Sequence, residues 1–152
     1  MSDVTVRLHG YESISQFSVI IDNKIGSLNT LMQLFHTHDE PILAISMVDH
    51  EDLGIVRIVP SYPEEVRELL LAHCLNFVEK KLVGVELVSV STIAEIVQAM
   101  ANARININYI YPLLVQKNGF MAVVIGVDDP RIASIALSKI GLLVLGQNDL
   151  SR

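Results

Sequence analysis

Residues 17–34 read FSVIIDNKIGSLNTLMQL, and the spacing of their apolar side chains changes part-way through. Phe17 to Ile21 is a short apolar run of strand length; after Asp22 the apolar positions resume at Leu28, Leu31 and Met32, continued by Phe35, at helical intervals. The stretch predicts a buried strand, a polar loop from Asp22 to Ser27, and an amphipathic helix from near Ser27 to about His38. Asp39-Glu40-Pro41 ends that helix, because proline disfavours helical backbone in the residue before it. The loop is the candidate site. Gly26 has no Cβ, so the backbone there can turn tightly or let a ligand approach. The amides that follow are the unpaired first donors of a helix and carry a partial positive charge suited to a carboxylate. The same geometry serves an ordinary strand-to-helix turn, and one glycine does not separate the two readings.

Toward the N-terminus, Val4, Val6 and Leu8 alternate with Thr5, Arg7 and His9, which predicts an edge strand in an N-terminal extension of residues 1–11. Toward the C-terminus, Ile42–Val48 and Ile55–Val59 predict two strands joined by a polar hairpin loop from Asp49 to Gly54. Ser61 and Glu64 form an S-x-x-E capping box at the start of a second helix, with Pro63 in its first turn. Val66, Leu69, Leu70, His73, Cys74 and Phe77 share one face of that helix, so Cys74 reads as a core residue and His73 as partly buried. A short strand from Phe77 to Lys81 closes the set. The pattern then begins again: a strand from Val83 to Val90, and a helix after Ser91-Thr92 with Ile93, Ile96, Val97 and Met100 at the offsets of Leu28, Leu31, Met32 and Phe35. A hairpin of Ile105–Val115 and Phe120–Val127 turns around Lys117-Asn118-Gly119. A helix entered at Asp128-Asp129-Pro130 ends at Gly141, and Leu142–Leu145 is a last strand. Pro63 to Pro130 spans 67 residues and Leu28 to Ile93 spans 65, one period of an internal repeat. The expected fold is α+β: two tandem ferredoxin-like βαββαβ units, 12–82 and 83–152, each an antiparallel sheet with both helices on one face. A unit of about 70 residues is marginal alone, and exposed sheet edges invite pairing, so a continuous sheet or a homodimer is expected.

Composition narrows the function. Eleven basic and seventeen acidic residues give a formal charge of −6 without a block of either sign, which argues against nucleic acid or an anionic membrane as partner. No apolar run reaches the roughly 20 residues of a membrane helix, and the first residues lack a secretory pattern, so a cytoplasmic location is expected. One cysteine excludes an internal disulfide. No nucleophile motif, phosphate loop or dinucleotide fingerprint occurs, and no cofactor is implied. His36 and His38 point apart on a helix, so with Asp39 or with His50-Glu51-Asp52 they read as solvated residues and not as metal ligands.

Given βαββαβ, the loop Asn23-Lys24-Ile25-Gly26-Ser27-Leu28 resembles the N-x-P-G-x-L turn of ACT domains. Ala103 to Tyr111 is similar to the second-strand segment of that family, and Val127-Asp128-Asp129-Pro130 to its entry into the second helix. Over about residues 12–150 the chain resembles stand-alone proteins of two ACT units. The resemblance implies a non-enzymatic regulatory protein that binds a small amino acid between units, dimerises, and communicates with a metabolic enzyme. Asn23 would bond the ligand's backbone groups, Lys24, Ile25 and Gly26 would form the turn, and the Ser27 and Leu28 amides would meet the carboxylate. Asn106 stands where the family often has an asparagine. Three departures stand out: Ile25 replaces the usual proline, Leu43 replaces the asparagine of the first unit, and Val90 leads into Ser91-Thr92 with no glycine loop. The alternative is a structural or regulatory subunit that contacts a partner enzyme without a ligand. A third reading, an enzyme on a ferredoxin-like sheet, has only the fold in its favour.

Overall fold

The computed structural model describes residues 13–114 and 121–150. The elements in order are β1 (Ile14–Asp22), α1 (Ser27–Thr37), β2 (Ile42–His50), β3 (Leu53–Pro60), α2 (Pro63–Ala72), β4 (Asn76–Leu87), α3 (Thr92–Asn102), β5 (Tyr109–Pro112), β6 (Met121–Gly126), α4 (Pro130–Lys139), β7 (Val144–Leu145) and α5 (Gln147–Leu150). They divide into one compact unit, Ser15–Lys80, and a second that holds Lys81–Leu150 and Ile14. The expected N-terminal edge strand and the Lys117-Asn118-Gly119 turn lie outside the described residues.

In the first unit the strand order is β2-β3-β1-β4. β1 and β3 are antiparallel with Phe17 opposite Ile58, Val19 opposite Val56 and Ile21 opposite Gly54. Those alternate residues share one face, and Phe17, Val19, Val56 and Ile58 pack with Leu31 and Phe35 of α1 and Val66 and Leu70 of α2. Both helices therefore cover that one face. The second unit repeats the plan: β4 lies between β7 and β6, with β5 beyond β6. Val83, Val85, Val123 and Ile125 pack with Ile96 and Met100 of α3 and Ala133 and Leu137 of α4. The fold is α+β, two ferredoxin-like βαββαβ units.

The differences from expectation are local. Phe77–Lys81 and Val83–Val90, read as two strands, are the single strand β4, because no turn residue interrupts them; Gly84 sits within its ladder opposite Val124 and Leu145. The polar hairpin loop is only the two-residue turn at Glu51-Asp52: Asp49 pairs with Gly54 and His50 with Leu53, and Glu51 takes φ 57°. Polar residues there extend the strands because both faces of that end meet solvent. The second strand of the second unit is shorter than Ile105–Val115; its regular pairing covers Tyr109–Pro112.

Helix ends account for the rest. Pro63 opens α2 and restricts Tyr62 (φ −126°, ψ 84°), so Tyr62, without a side-chain cap bond, takes the N-cap position expected for Ser61. Asp129 has nearly the same backbone before Pro130 (φ −125°, ψ 92°) and does cap, its Oδ1 accepting from the Ile132 amide at 3.2 Å. At their C-termini all four long helices close alike, on a left-handed residue: Asp39 (φ 52°), Cys74 (55°), Arg104 (58°) and Gly141 (87°). In α2 the Cys74 and Leu75 amides donate to Leu71 and Leu70 carbonyls, a Schellman closure that stops the helix at Ala72. Cys74 is therefore exposed, not a core residue, and His73 is exposed with it. In α3 the buried stripe is Thr92, Ile96, Ala99 and Met100, whereas Ile93 and Val97 are 37% and 48% exposed. The buried stripe is thus rotated toward Thr92 and Ala99 from the expected Ile93 and Val97.

Glu40, just past α1, is a destabilising contact. One of its carboxylate oxygens is buried without a hydrogen-bond partner, and burial, then the Glu65 charge, raises its pKa above 4.5. Because the folded chain then holds the proton more tightly than the unfolded chain, stability is lost as pH rises from about 4.5 through the raised value. Glu40→Gln is expected to raise the Tm at pH 7 and to flatten its decline above that point; melting curves from pH 4 to 8 check it.

Candidate functional site

The loop between β1 and α1 is held by its own hydrogen bonds. The Asn23 amide donates to the Asp52 carbonyl at 2.9 Å. The Asn23 side-chain nitrogen donates to Asp49 Oδ1 at 2.6 Å and to the Glu51 carbonyl at 2.9 Å, tying the loop to the β2–β3 turn. The Lys24 amide returns to the Asp22 carbonyl at 3.0 Å, and Ile25 is fully exposed at the tip. Gly26, at φ 92° and ψ −16°, is the N-cap of α1, a conformation that L side chains rarely adopt. Asn23→Ala is accordingly expected to cost about 1 kcal/mol of stability by freeing the loop from the hairpin, since a net hydrogen bond contributes about that much; urea denaturation measures it.

What α1 offers a ligand follows from which of its first amides are used. Ser27 donates to the Lys24 carbonyl at 3.2 Å and Thr30 to that of Gly26 at 3.0 Å. The Leu28 and Asn29 amides have no acceptor among the described residues, and no acidic side chain stands in the first turn to offset the dipole. The corresponding start of α3 is closed. Ser91 is in right-handed helical backbone, Thr92 donates to Ser89, Ile93 to Val90, and Ala94 and Glu95 to Ser91. Glu95 adds a carboxylate in the first turn. Among the described residues, the first turn of α1 thus keeps two amides without an acceptor, whereas the corresponding amides of α3, those of Ile93 and Ala94, are both bonded.

Asn106 belongs to the second unit and is exposed; its side-chain nitrogen donates to Asn108 Oδ1 at 3.0 Å, and that of Asn108 to Asp128 Oδ1 at 3.3 Å. Asn23, Lys24, Ile25, Gly26, Ser27 and Leu28 form one continuous loop and helix start in the first unit. Sequence reasoning passed over two features of that unit. Asp22 and Ser27 line a cleft of about 690 Å3 that also reaches His38 and His73. The two imidazoles, 5.7 Å apart and nearly perpendicular, each direct Nδ1 at a carbonyl one turn back, Leu34 at 2.9 Å and Leu69 at 3.0 Å. Each neutral ring then carries its acceptor at Nε2. The spacing of Leu31, Leu34 and His38 was the available sign, but Leu31 reads as core and His38 as a solvated helix end. Elsewhere in the unit, Arg67 grips Glu79 through two bonds of 2.7 and 2.9 Å, which joins α2 to β4 and raises the arginine pKa. No described helix is long and apolar enough to cross a membrane, and no three His, Cys, Asp or Glu side chains among the described residues converge on a metal position.

Among solved structures, the chain resembles a protein of Bacteroides thetaiotaomicron with a TM-score of 0.82 at 20% identity, over 92% of this chain and 96% of that one. It resembles the regulatory subunit of aspartate kinase from Thermus thermophilus, in its ligand-free form, with a TM-score of 0.62 at 17% identity, over 86% and 94%. The regulatory subunit from Thermus flavus gives 0.58 at 17%, over 85% and 93%. At these identities the likeness is one of fold. No curated protein matches the sequence. The ACT domain pair family matches residues 12–151, nearly the whole chain and both βαββαβ units, and the chain belongs to that family.

Proposed function

We propose that the chain is a non-catalytic regulatory protein whose first unit binds an amino acid at the Asn23–Leu28 loop, and that occupancy is read by a homodimer or by a metabolic enzyme. The observation that carries this reading is the contrast between the two helix starts: Gly26 leaves the Leu28 and Asn29 amides uncommitted, whereas the amides after Ser91 are spent within the turn. In this reading the α-carboxylate sits on those amides beside Ser27. Asn23, its side-chain nitrogen committed to the hairpin, offers only its oxygen, and Lys24 and Ile25 frame the entrance. Asn106 is the second unit's candidate, with one amide hydrogen already given to Asn108. We place the protein in the cytoplasm. Membership of the ACT domain pair family supports regulation over catalysis.

The second reading, a subunit that contacts an enzyme without a ligand, has its own support: the Asn23 side-chain nitrogen is committed to Asp49 and Glu51 of the β2–β3 turn, a structural use of the loop that needs no ligand. A thermal-shift panel of the twenty amino acids separates the two. A ligand present at 100 times its Kd stabilises by about 2.7 kcal/mol, a rise of several degrees for a chain of this size. A panel with no rise favours the ligand-free subunit.

A further inference from the structure

The cleft of the first unit bears on which amino acids the loop would take. It follows one face of α1, because the residues of that helix that line it, 27, 30, 31, 33, 34, 37 and 38, recur every three or four positions from the first residue to the C-cap. Its volume of about 690 Å3 lies in the range of small-molecule sites, which are apolar with a few polar groups that orient the ligand. Ile21, Leu31, Leu34, Leu53 and Leu75 supply the apolar lining. At the Ser27 end the polar groups have both signs. The Ser27 hydroxyl lines the cleft, and the uncommitted Leu28 and Asn29 amides, which lie outside its lining, follow Ser27 in the first turn of α1 and suit an anion. Asp22, which lines the same end, suits a cation. Its present cation, Lys24, is 3.8 Å away with both side chains 71% exposed, a pairing of little strength that a ligand ammonium can replace.

We propose that this cleft binds an L-amino acid with a large aliphatic or aromatic side chain. The α-carboxylate lies on the amides at the start of α1, the α-ammonium on the Asp22 carboxylate, and the side chain along α1 past Leu31 and Leu34. The proposal rests on the loop reading above and adds to it a ligand class and a recognition residue, Asp22. Paired charges of opposite sign select a zwitterion over a simple carboxylate or amine. The aliphatic lining selects leucine, methionine or phenylalanine over alanine, threonine or lysine, because each buried methylene adds to the preference and a charged terminus is penalised.

Isothermal titration of the full chain with L-leucine, L-phenylalanine, L-alanine, L-threonine, L-lysine and N-acetyl-L-leucine tests this, for the parent, Asp22→Asn and Thr30→Phe. Thr30 is exposed on the lining face, so phenylalanine there fills the cleft without entering the core; circular dichroism verifies that the fold is retained. Leucine or phenylalanine should bind about tenfold or more tighter than alanine. N-acetyl-leucine, which lacks the ammonium, should bind about tenfold more weakly than leucine to the parent but nearly equally to Asp22→Asn. Thr30→Phe should abolish leucine binding. If threonine or lysine binds as tightly as leucine, or leucine binding survives Thr30→Phe, the cleft assignment is overturned while the loop reading stands. If no amino acid binds the parent, both fall.

Discussion

Phe35→Ala is expected to destabilise the chain by about 3–5 kcal/mol, and Met100→Ala, its counterpart in the second unit, by about 2–5 kcal/mol. Phe35 is 1% exposed and packs in the core of Phe17, Val19, Val56 and Ile58; Met100 is 1% exposed against Val83, Val85, Val123 and Ile125. Each truncation removes the transfer free energy of a large side chain and leaves a cavity that close-packed strands cannot collapse to fill. The two residues occupy the same offset in the two helices, so comparable losses at both are a consequence of the repeat. Phe35 also docks α1 on the sheet, together with Leu31, and so holds the helix start against the end of β1. Guanidinium denaturation measures both. A loss below about 1 kcal/mol at either position contradicts the core assignment for that unit.

Gly26→Val should act on both stability and ligand affinity. At φ 92° a β-branched side chain is strained whatever room surrounds it, and the room here is open: nothing lies within 4 Å of a Cβ built at Gly26. The expected loss is about 1–3 kcal/mol, entirely of backbone origin. Gly26→Ala, with the same φ and a smaller side chain, should lose about 1–2 kcal/mol. Because a strained loop relieves itself by moving φ toward negative values, the Leu28 and Asn29 amides would turn from their common direction and amino-acid affinity should fall in both variants. Ser91→Gly, at right-handed φ −66°, has no comparable effect on binding, since the amides of that turn are already bonded. Equal stability of Gly26→Val and the parent, read from the same denaturation curves, contradicts the left-handed cap.

Both βαββαβ units were legible because their signals are periodic and repeated. The change from strand to helical spacing across Asp22–Ser27, the paired offsets of Leu31 with Ile96 and Phe35 with Met100, and proline at two helix starts are each statements about many residues at once. What escaped depended on single backbone dihedrals. Asp39, Cys74 and Arg104 end their helices in left-handed backbone without being glycine, and only Gly141 announced such an end in the sequence. That is why Cys74 was read onto a buried face that stops two residues before it. The N-cap expected at Ser61 falls at Tyr62 for a comparable reason, since Pro63 fixed the start of α2 one residue late. At the candidate site, Gly26 was visible as a glycine. The commitment of the Asn23 side chain to Asp49 and Glu51, 26 and 28 residues away, depends on tertiary structure and leaves no local trace. The same holds for the cleft that Asp22 shares with the distant His73 and Leu75.

The central claim, that an amino acid is held at the start of α1, is tested most directly by amide chemical-shift perturbation in a nitrogen-15 labelled chain titrated with L-leucine. The largest shifts are expected at Gly26, Ser27, Leu28 and Asn29, with a downfield move of the Leu28 and Asn29 protons as they acquire an acceptor, and with Thr92 to Glu95 nearly unmoved. Saturable shifts centred on Thr92 to Glu95, or none at Leu28 and Asn29 at millimolar ligand, would contradict it.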